Sequence, residues 1–125
     1  MPNLANAHIG QIAVVCKDVP RAKAFYQGVL GLRHLFDAPP SLSFFDCGGV
    51  RLMLTPAERP EDDHLSSILY YQVQNIEAVH EDLAAKGVKF VNPPHVVARM
   101  PDYELWLGEF RDSEGNALAL MEEKR

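Results

Sequence analysis

The chain lacks the features that mark several large classes of protein. Its two cysteines, Cys16 and Cys47, do not form a CxxC pair, which predicts free thiols rather than a disulfide framework. No apolar run approaches the roughly 20 residues that a membrane-spanning helix needs, and no basic leader precedes an apolar segment at the start. We therefore expect a cytoplasmic protein without a membrane partner.

Clustered positive charge and common catalytic motifs are also missing. The chain has 12 Lys and Arg against 17 Asp and Glu, with a net charge of −5, and the basic residues are scattered singly. This pattern excludes the basic footprint of a nucleic-acid-binding protein. The sequence has no GxSxG, HExxH or GxxxxGK[ST] motif. An apolar fraction of 47% in 125 residues is enough for one core, so we expect a single domain over residues 1–125.

The first half of the chain reads as strand, helix and three strands. Residues 9–16 form an apolar strand, Asp18 is a helix N-cap with Pro20 in the first turn, and Gly31 ends the helix in a left-handed conformation. Strands follow in LRHLF, LSFFDC and VRLMLT, and the DCGG sequence favours a hairpin turn. The helix carries an apolar stripe with a helical period, formed by Ala22, Phe25, Tyr26 and Val29.

The second half repeats this order. Asn75 is the second N-cap, Gly87 ends the second helix, and strands follow in VKFV, YELWLGEF and ALALM after a first strand in SILYYQV. The segment NPPHVVARMPD contains three prolines and is expected to be a loop or an irregular edge. We therefore predict two βαβββ modules, at about 8–56 and about 66–122, with a linker at about 57–65.

Alternation along the strands predicts which side chains face the helices. One set is aliphatic, whereas the other mixes polar and apolar side chains and includes Gln11, Arg51, Met53 and Tyr70. Burying the Gln11 amide without a partner costs roughly 1–3 kcal/mol, so Gln11 is expected to face a cavity. The predicted fold is α+β, in which the two modules form a curved mixed sheet with helices outside and an inner cup.

Two motifs carry a resemblance to a known family. The run DVPRAKAFYQGVLGL and the segment FRDSEGNALAL resemble the vicinal oxygen chelate superfamily, which includes glyoxalase I, bleomycin-resistance proteins, extradiol dioxygenases and methylmalonyl-CoA epimerase. The resemblance covers the chain from about residue 9 to about residue 122. It implies the βαβββ repeat and a homodimer that binds a small molecule, but the fold alone does not determine the chemistry.

The resemblance also implies four positions for the ligands of a divalent metal ion, one on each of four strands. In this chain they fall on Gln11, Met53, Ile68 (or Ser67 if the strand is shifted by one residue) and Ala119. Only Gln11 has a side chain that a hard or borderline divalent cation accepts as a ligand. We therefore expect no metal cofactor at these positions.

Two functions remain open from the sequence. The first is a metal-independent binding protein of the bleomycin-resistance type, which takes a small, partly apolar organic ligand. Its expected ligand-binding residues are Gln11, Arg51, Met53, Tyr70 and Trp106. The alternative for each is an ordinary structural role; Arg51, for example, then points to solvent or bridges a dimer.

The second function is a lyase or isomerase of the glyoxalase type with a relocated divalent metal, such as Zn, Ni, Mn or Fe. Its candidate ligands are His8, Gln11, His95 and Glu104, and the last two are also the candidate general acid and base. The structural alternative is a loop around His95 and Glu104 that closes one end of the cup. A catalytically inactive assembly module is a third reading.

Overall fold

The computed structural model describes residues 3–57, 59–60 and 67–125. The chain divides into two compact units, Met1–Leu65 and Ser66–Arg125. The predicted linker lies outside the described residues except at positions 57, 59 and 60, and so does the predicted start of the second module at residue 66. Within the described residues, no helix is long and apolar enough to cross a membrane.

The first unit has the predicted βαβββ order. Its elements are β1 (Gln11–Val15), α1 (Val19–Ala24), a π-helical turn (Phe25–Val29), β2 (Arg33–Ala38), β3 (Leu42–Cys47) and β4 (Val50–Thr55). The strands form a mixed sheet in the order β1-β4-β3-β2, in which β1 and β4 are parallel and the other pairs are antiparallel.

Local sequence explains where α1 begins and ends. The side chain of Asp18 accepts a hydrogen bond from the amide of Arg21 at 3.0 Å, as expected for an N-cap. The helix continues into the π-helical turn, in which Leu30 N donates to Phe25 O at 2.9 Å. Gly31 follows with φ 76°, the predicted left-handed end. Within the predicted stripe Ala22 and Tyr26 are both 0% exposed, whereas Phe25 and Val29 are half-buried.

The second unit repeats the order. Its elements are β5 (Leu69–Gln72), α2 (Ile76–Ala85), β6 (Phe90–Arg99), β7 (Glu104–Arg111) and β8 (Ala117–Lys124), and the sheet order is β5-β8-β7-β6. As predicted, Asn75 caps α2 through its side chain, which accepts from Ala78 N at 3.2 Å, and Gly87 follows the helix with φ 95°. Glu122 on β8 adds a second cap, because its two carboxylate oxygens accept from Asn75 N and Ile76 N at 3.0 and 2.8 Å.

The predicted hairpin turn at DCGG is present, and a second turn precedes the last strand. Cys47 pairs with Val50, and the two intervening glycines, Gly48 and Gly49, have φ 58° and 90°. A two-residue loop of this type needs positive φ at both positions, and glycine adopts it without steric cost. In the second unit, Asp112 Oδ1 accepts from the amides of Glu114 and Asn116, both at 2.8 Å. This bonding explains the DSEGN sequence before the last strand.

The proline-rich segment in the second unit is an edge strand. The sequence left a loop or an irregular edge open, and the structure extends β6 through it as far as Arg99. The pairing of β6 with β7 has three register shifts, and Pro93 and Pro94 lie at the one between Asn92 and His95. Prolines have no amide hydrogen to donate, so a bulged edge strand is where a sheet tolerates them.

Each sheet has one face covered by its own helix. In the first unit this helix-bearing face carries Phe45, Leu52 and Leu54, all at most 2% exposed, and α1 packs against β3 and β4. In the second unit Phe110 and Leu118 lie on the corresponding face. The opposite face of each sheet, which carries Gln11 in the first unit and Tyr70 in the second, is called the helix-free face below. The division of the strands into two faces agrees with the predicted alternation.

Candidate functional site

Three of the predicted ligand-binding residues are in contact on the helix-free face of the first unit. Gln11 on β1 pairs with Arg51 on β4, and the parallel register places both side chains on one face. The Nε atom of Arg51 donates to Oε1 of Gln11 at 2.7 Å. The amide nitrogen of Gln11 in turn lies 3.8 Å from the sulfur of Met53. A predicted cavity-facing glutamine is therefore held between a guanidinium group and a thioether.

Two aromatic residues that were not predicted as ligand-binding residues complete this cluster. The guanidinium carbon of Arg51 lies 5.5 Å from the ring centroid of Phe44 on β3, within the range of a cation–π contact. Phe44 stacks on Phe36 of β2, with centroids 4.5 Å apart and an interplanar angle of 22°. Gln11, Phe36, Phe44, Arg51 and Met53 are together called the Arg51 cluster.

The sequence predicts the face of the sheet on which Phe44 lies but not the face on which Phe36 lies. Alternation in LSFFDC places Phe44 on the opposite face from Phe45, so its position followed from the strand pattern. The position of Phe36 did not follow, because the register of β2 and β3 shifts between His34 and Phe36. His34 pairs with the helix-facing Phe45, whereas Phe36 pairs with Phe44 on the other face. Only the bulge places Phe36 in the cluster.

The four positions that the resemblance assigns to metal ligands do not fit a divalent cation here. Met53, Ile68 and Ala119 offer a thioether and two aliphatic side chains, whereas such ions prefer imidazole and carboxylate groups. The oxygen of Gln11 already accepts a hydrogen bond from Arg51. A fixed guanidinium charge at that oxygen repels a second cation. Within the described residues, no three His, Cys, Asp or Glu side chains are grouped so that they could hold a metal ion.

Tyr70 and Ala119 mark the helix-free face of the second unit. They are paired across β5 and β8, and Tyr70 is 52% exposed. A pocket of about 100 Å³ lies at this position and is lined in part by Ile68, Glu109 and Arg111. This volume is below the roughly 300–1,000 Å³ of a typical ligand pocket.

Trp106 and Glu104 lie on the helix-bearing face of the second unit. Trp106 pairs with Glu122, whose carboxylate caps α2. Its Nε1 donates to Glu104 at 3.2 Å, and the Nζ of Lys124 lies 4.2 Å from the centroid of its ring. Trp106 therefore does not share a face with Tyr70, which differs from the expectation that both line one cup. The strand β7 alternates between faces, and Trp106 has the same parity as the core residue Phe110.

The candidate acid–base pair is not assembled. Exposed His95 pairs with Leu107 on the helix-free face, and its Nδ1 lies 2.8 Å from the backbone oxygen of Pro93. Glu104 lies on the opposite face, where Arg99 donates to it at 3.1 Å. The sheet therefore separates the side chains of His95 and Glu104 within the second unit. His8, the remaining member of the relocated metal set besides Gln11, is exposed and precedes β1.

A larger pocket of the first unit lies beside α1 and was not predicted. It has a volume of about 400 Å³ and is lined in part by Pro20, Lys23, Pro40 and Asp37. Hydrogen bonds from Lys23 (2.8 Å), His34 (2.9 Å) and Ser43 (2.8 Å) hold the pKa of the Asp37 carboxyl well below its usual range. Both carboxylate oxygens of Asp37 are thus engaged within the protein, which is typical of a structural network.

Comparisons with known proteins agree with this fold. A model of the Glyoxalase/Bleomycin resistance protein/Dioxygenase superfamily matches residues 8–120. A search of curated proteins gave no match. Three similar solved structures illustrate the fold. A lactoylglutathione lyase from Agrobacterium tumefaciens has 23% identity and a TM-score of 0.74, with 94% of this chain and 95% of that chain covered.

The other two structures are similar over comparable lengths. TnmS3, an antibiotic binding protein from Streptomyces sp. CB03234, has 23% identity and a TM-score of 0.78, with 98% of this chain and 100% of that chain covered. A superfamily member from Sphaerobacter thermophilus DSM 20745 has 21% identity and a TM-score of 0.78, with 94% and 98% covered. Together with the repeated βαβββ order, the family match over residues 8–120 shows that this chain belongs to the glyoxalase/bleomycin resistance protein/dioxygenase superfamily.

Proposed function

We propose that the protein binds a small, partly apolar organic ligand at the Arg51 cluster without a metal ion. The observation that carries this proposal is the 2.7 Å hydrogen bond from Arg51 Nε to Gln11 Oε1. The guanidinium group brings a permanent positive charge to the position that holds the first metal ligand in metal-dependent relatives. A ligand oxygen can then bind to the arginine in place of a metal ion.

The composition of the cluster supports a small-molecule site. Gln11 and Arg51 supply a few directed polar groups, and Phe36, Phe44 and Met53 supply an apolar surface beside them. Ligand sites in proteins combine these two kinds of side chain in this way. Tyr70, on the helix-free face of the second unit, remains a candidate ligand-binding residue of that unit.

Both functions that the sequence left open, ligand binding and lyase activity, occur among similar structures. Among similar structures, one is an antibiotic binding protein and another is a lactoylglutathione lyase. At 23% identity each indicates the fold and no more. The donor set favours the binding protein, because the side chains at the expected metal positions do not suit a divalent ion.

The proposal includes a cytoplasmic homodimer. Both cysteines are free thiols, as is common for proteins of a reducing compartment. The edge strand β6 exposes Val91 and Val97, at 59% and 43%, which is an apolar edge that a second copy of the chain would cover. Size-exclusion chromatography with light scattering should give twice the monomer mass. A monomer at all concentrations would refute the dimer.

Metal analysis tests the proposal against its lyase rival. Protein purified without chelators should contain no stoichiometric metal, and Ni²⁺, Zn²⁺, Mn²⁺ or Fe²⁺ should not raise its Tm. A ligand that binds only the folded state raises Tm once its concentration exceeds its Kd, so a specifically bound ion would be detected. One metal per chain that is lost in Gln11→Ala or His95→Ala would overturn the proposal in favour of the lyase.

A further inference from the structure

Arg51 is held in place by Gln11, and none of the described acidic residues forms an ion pair with it. Within the part of the chain that the structure describes, its side chain makes one hydrogen bond, from Nε to Gln11, and no ion pair. Asp46 is its register neighbour on β3 but forms no ion pair with it. Because a guanidinium group has five N–H donors, the two Nη groups remain available to a ligand. Arginine side chains with this arrangement are suited to a planar oxyanion, which they bind through two parallel hydrogen bonds.

The aromatic pair beside Arg51 extends this site in one direction. Phe44 is 8% exposed and lies under the guanidinium group, whereas Phe36, stacked on it, is 45% exposed. The exposed ring of Phe36 therefore offers an apolar, flat surface next to a fixed positive charge. Aromatic groups pack on such surfaces in stacked or edge-to-face geometry.

We propose that the ligand belongs to the class of aromatic carboxylates. Its carboxylate accepts hydrogen bonds from both Nη groups of Arg51, and its ring packs beside Phe36. This inference rests on the proposed function and narrows the class of ligand. A single negative charge also suits a chain with a net charge of −5, which repels a doubly charged phosphate more strongly.

Benzoate is the probe for the test. Three other small molecules show whether its charge, its ring or the geometry of its anion is responsible for binding. Benzamide has the same shape without the charge, acetate has the charge without the ring, and inorganic phosphate is an anion of another geometry. Binding is followed by ¹H–¹⁵N NMR, with the Arg51 Nε–H and the amides of Gln11 and Met53 as reporters. Benzoate should bind more tightly than all three of the other compounds.

Variants at Arg51 form the second part of the test. Arg51→Gln removes the charge and should weaken benzoate binding about tenfold or more. Arg51→Lys keeps the charge without the planar fork and should also weaken it. Arg21→Gln, the same exchange on α1, is the control and should bind benzoate like the wild type. Arg51 is an exposed strand residue, so circular dichroism and Tm should show that each variant is folded.

Three outcomes would overturn the inference. Benzamide that binds as tightly as benzoate and moves the Gln11 and Met53 resonances would refute a carboxylate ligand but would retain the proposed site. Phosphate that binds more tightly than benzoate would refute the aromatic carboxylate class. Benzoate that fails to bind, or that binds equally well to Arg51→Gln, would also refute it. The metal test of the proposed function is independent of all three.

Discussion

Arg51 Nε lies 2.7 Å from Gln11 Oε1, although 40 positions separate these residues in the sequence. The parallel pairing of β1 with β4 brings them together. This contact changes the chemistry expected at the site, because it places a positive charge at a position to which the family resemblance assigns a metal ligand. It also leads to a direct prediction for the glutamine.

Gln11→Glu should weaken the binding of an anionic ligand by about tenfold, because the new carboxylate competes for the guanidinium group of Arg51. Isothermal titration calorimetry with benzoate measures the change. Gln72→Glu, the same exchange at an exposed position of β5 in the second unit, should leave the affinity unchanged. Equal affinities for the wild type and Gln11→Glu would show that Arg51 does not bind the anion.

Two phenylalanines should respond in opposite ways to truncation. Phe45 is 0% exposed, so Phe45→Ala should lower the free energy of unfolding by about 3–5 kcal/mol. Phe36 is 45% exposed, so Phe36→Ala should lower it by about 1 kcal/mol or less. Urea denaturation measures both. Similar losses in the two variants would contradict the assignment of Phe36 to the exposed cluster.

The carboxylate of Glu122 should stabilise the start of α2. It accepts hydrogen bonds from Asn75 N and Ile76 N, so Glu122→Ala should lower the free energy of unfolding by about 1–3 kcal/mol. Glu123→Ala is the matched control, since the structure shows Glu123 paired with the exposed Arg125, a contact that should contribute about 0–1 kcal/mol. Urea denaturation of both variants tests the difference. An unchanged Glu122→Ala midpoint would exclude this capping role.

Asp37 should make stability depend on pH in the acid range. Its pKa is lowered in the folded state, mainly by Lys23, so the folded state binds the proton less readily than the unfolded chain. The contribution of the ionised Asp37 carboxylate to the free energy of unfolding is therefore fully present above the pKa of the unfolded chain. It is lost as the pH falls below that pKa towards the lower pKa of the folded state. The unfolded value is near 3.8.

The variant Asp37→Asn tests this dependence. The wild type should be more stable than Asp37→Asn at pH 7, and the difference should shrink as the pH falls from about 5 to about 2. Urea midpoints at several pH values measure it. Asp82→Asn, at an exposed ion pair of α2, serves as the control. A difference that grows on acidification would have the wrong sign for the proposed cause.

Much of the fold followed from local sequence. Asp18 and Asn75 cap the two helices, because their side chains accept hydrogen bonds from amides of the first turn. Gly31 and Gly87 follow the helix ends, because glycine readily adopts the left-handed conformation found there. Alternation placed Gln11, Arg51 and Met53 on one face of the first sheet, since the side-chain period of a strand is two. These signals act over a few residues, so the sequence alone was enough to read them.

The remaining features depended on pairing between distant strands. The register of β1 and β4 decided that Gln11 contacts Arg51, and the bulge in β2 decided that Phe36 joins them. Pairing with β7 makes the segment around Pro93 an edge strand. Trp106 lies on the helix-bearing face because it pairs with Glu122, whose carboxylate caps α2. A local pattern predicts that a strand forms and which side chains share a face. Register, bulges and the position of the helix depend on contacts far apart in sequence, and only the tertiary structure decided them.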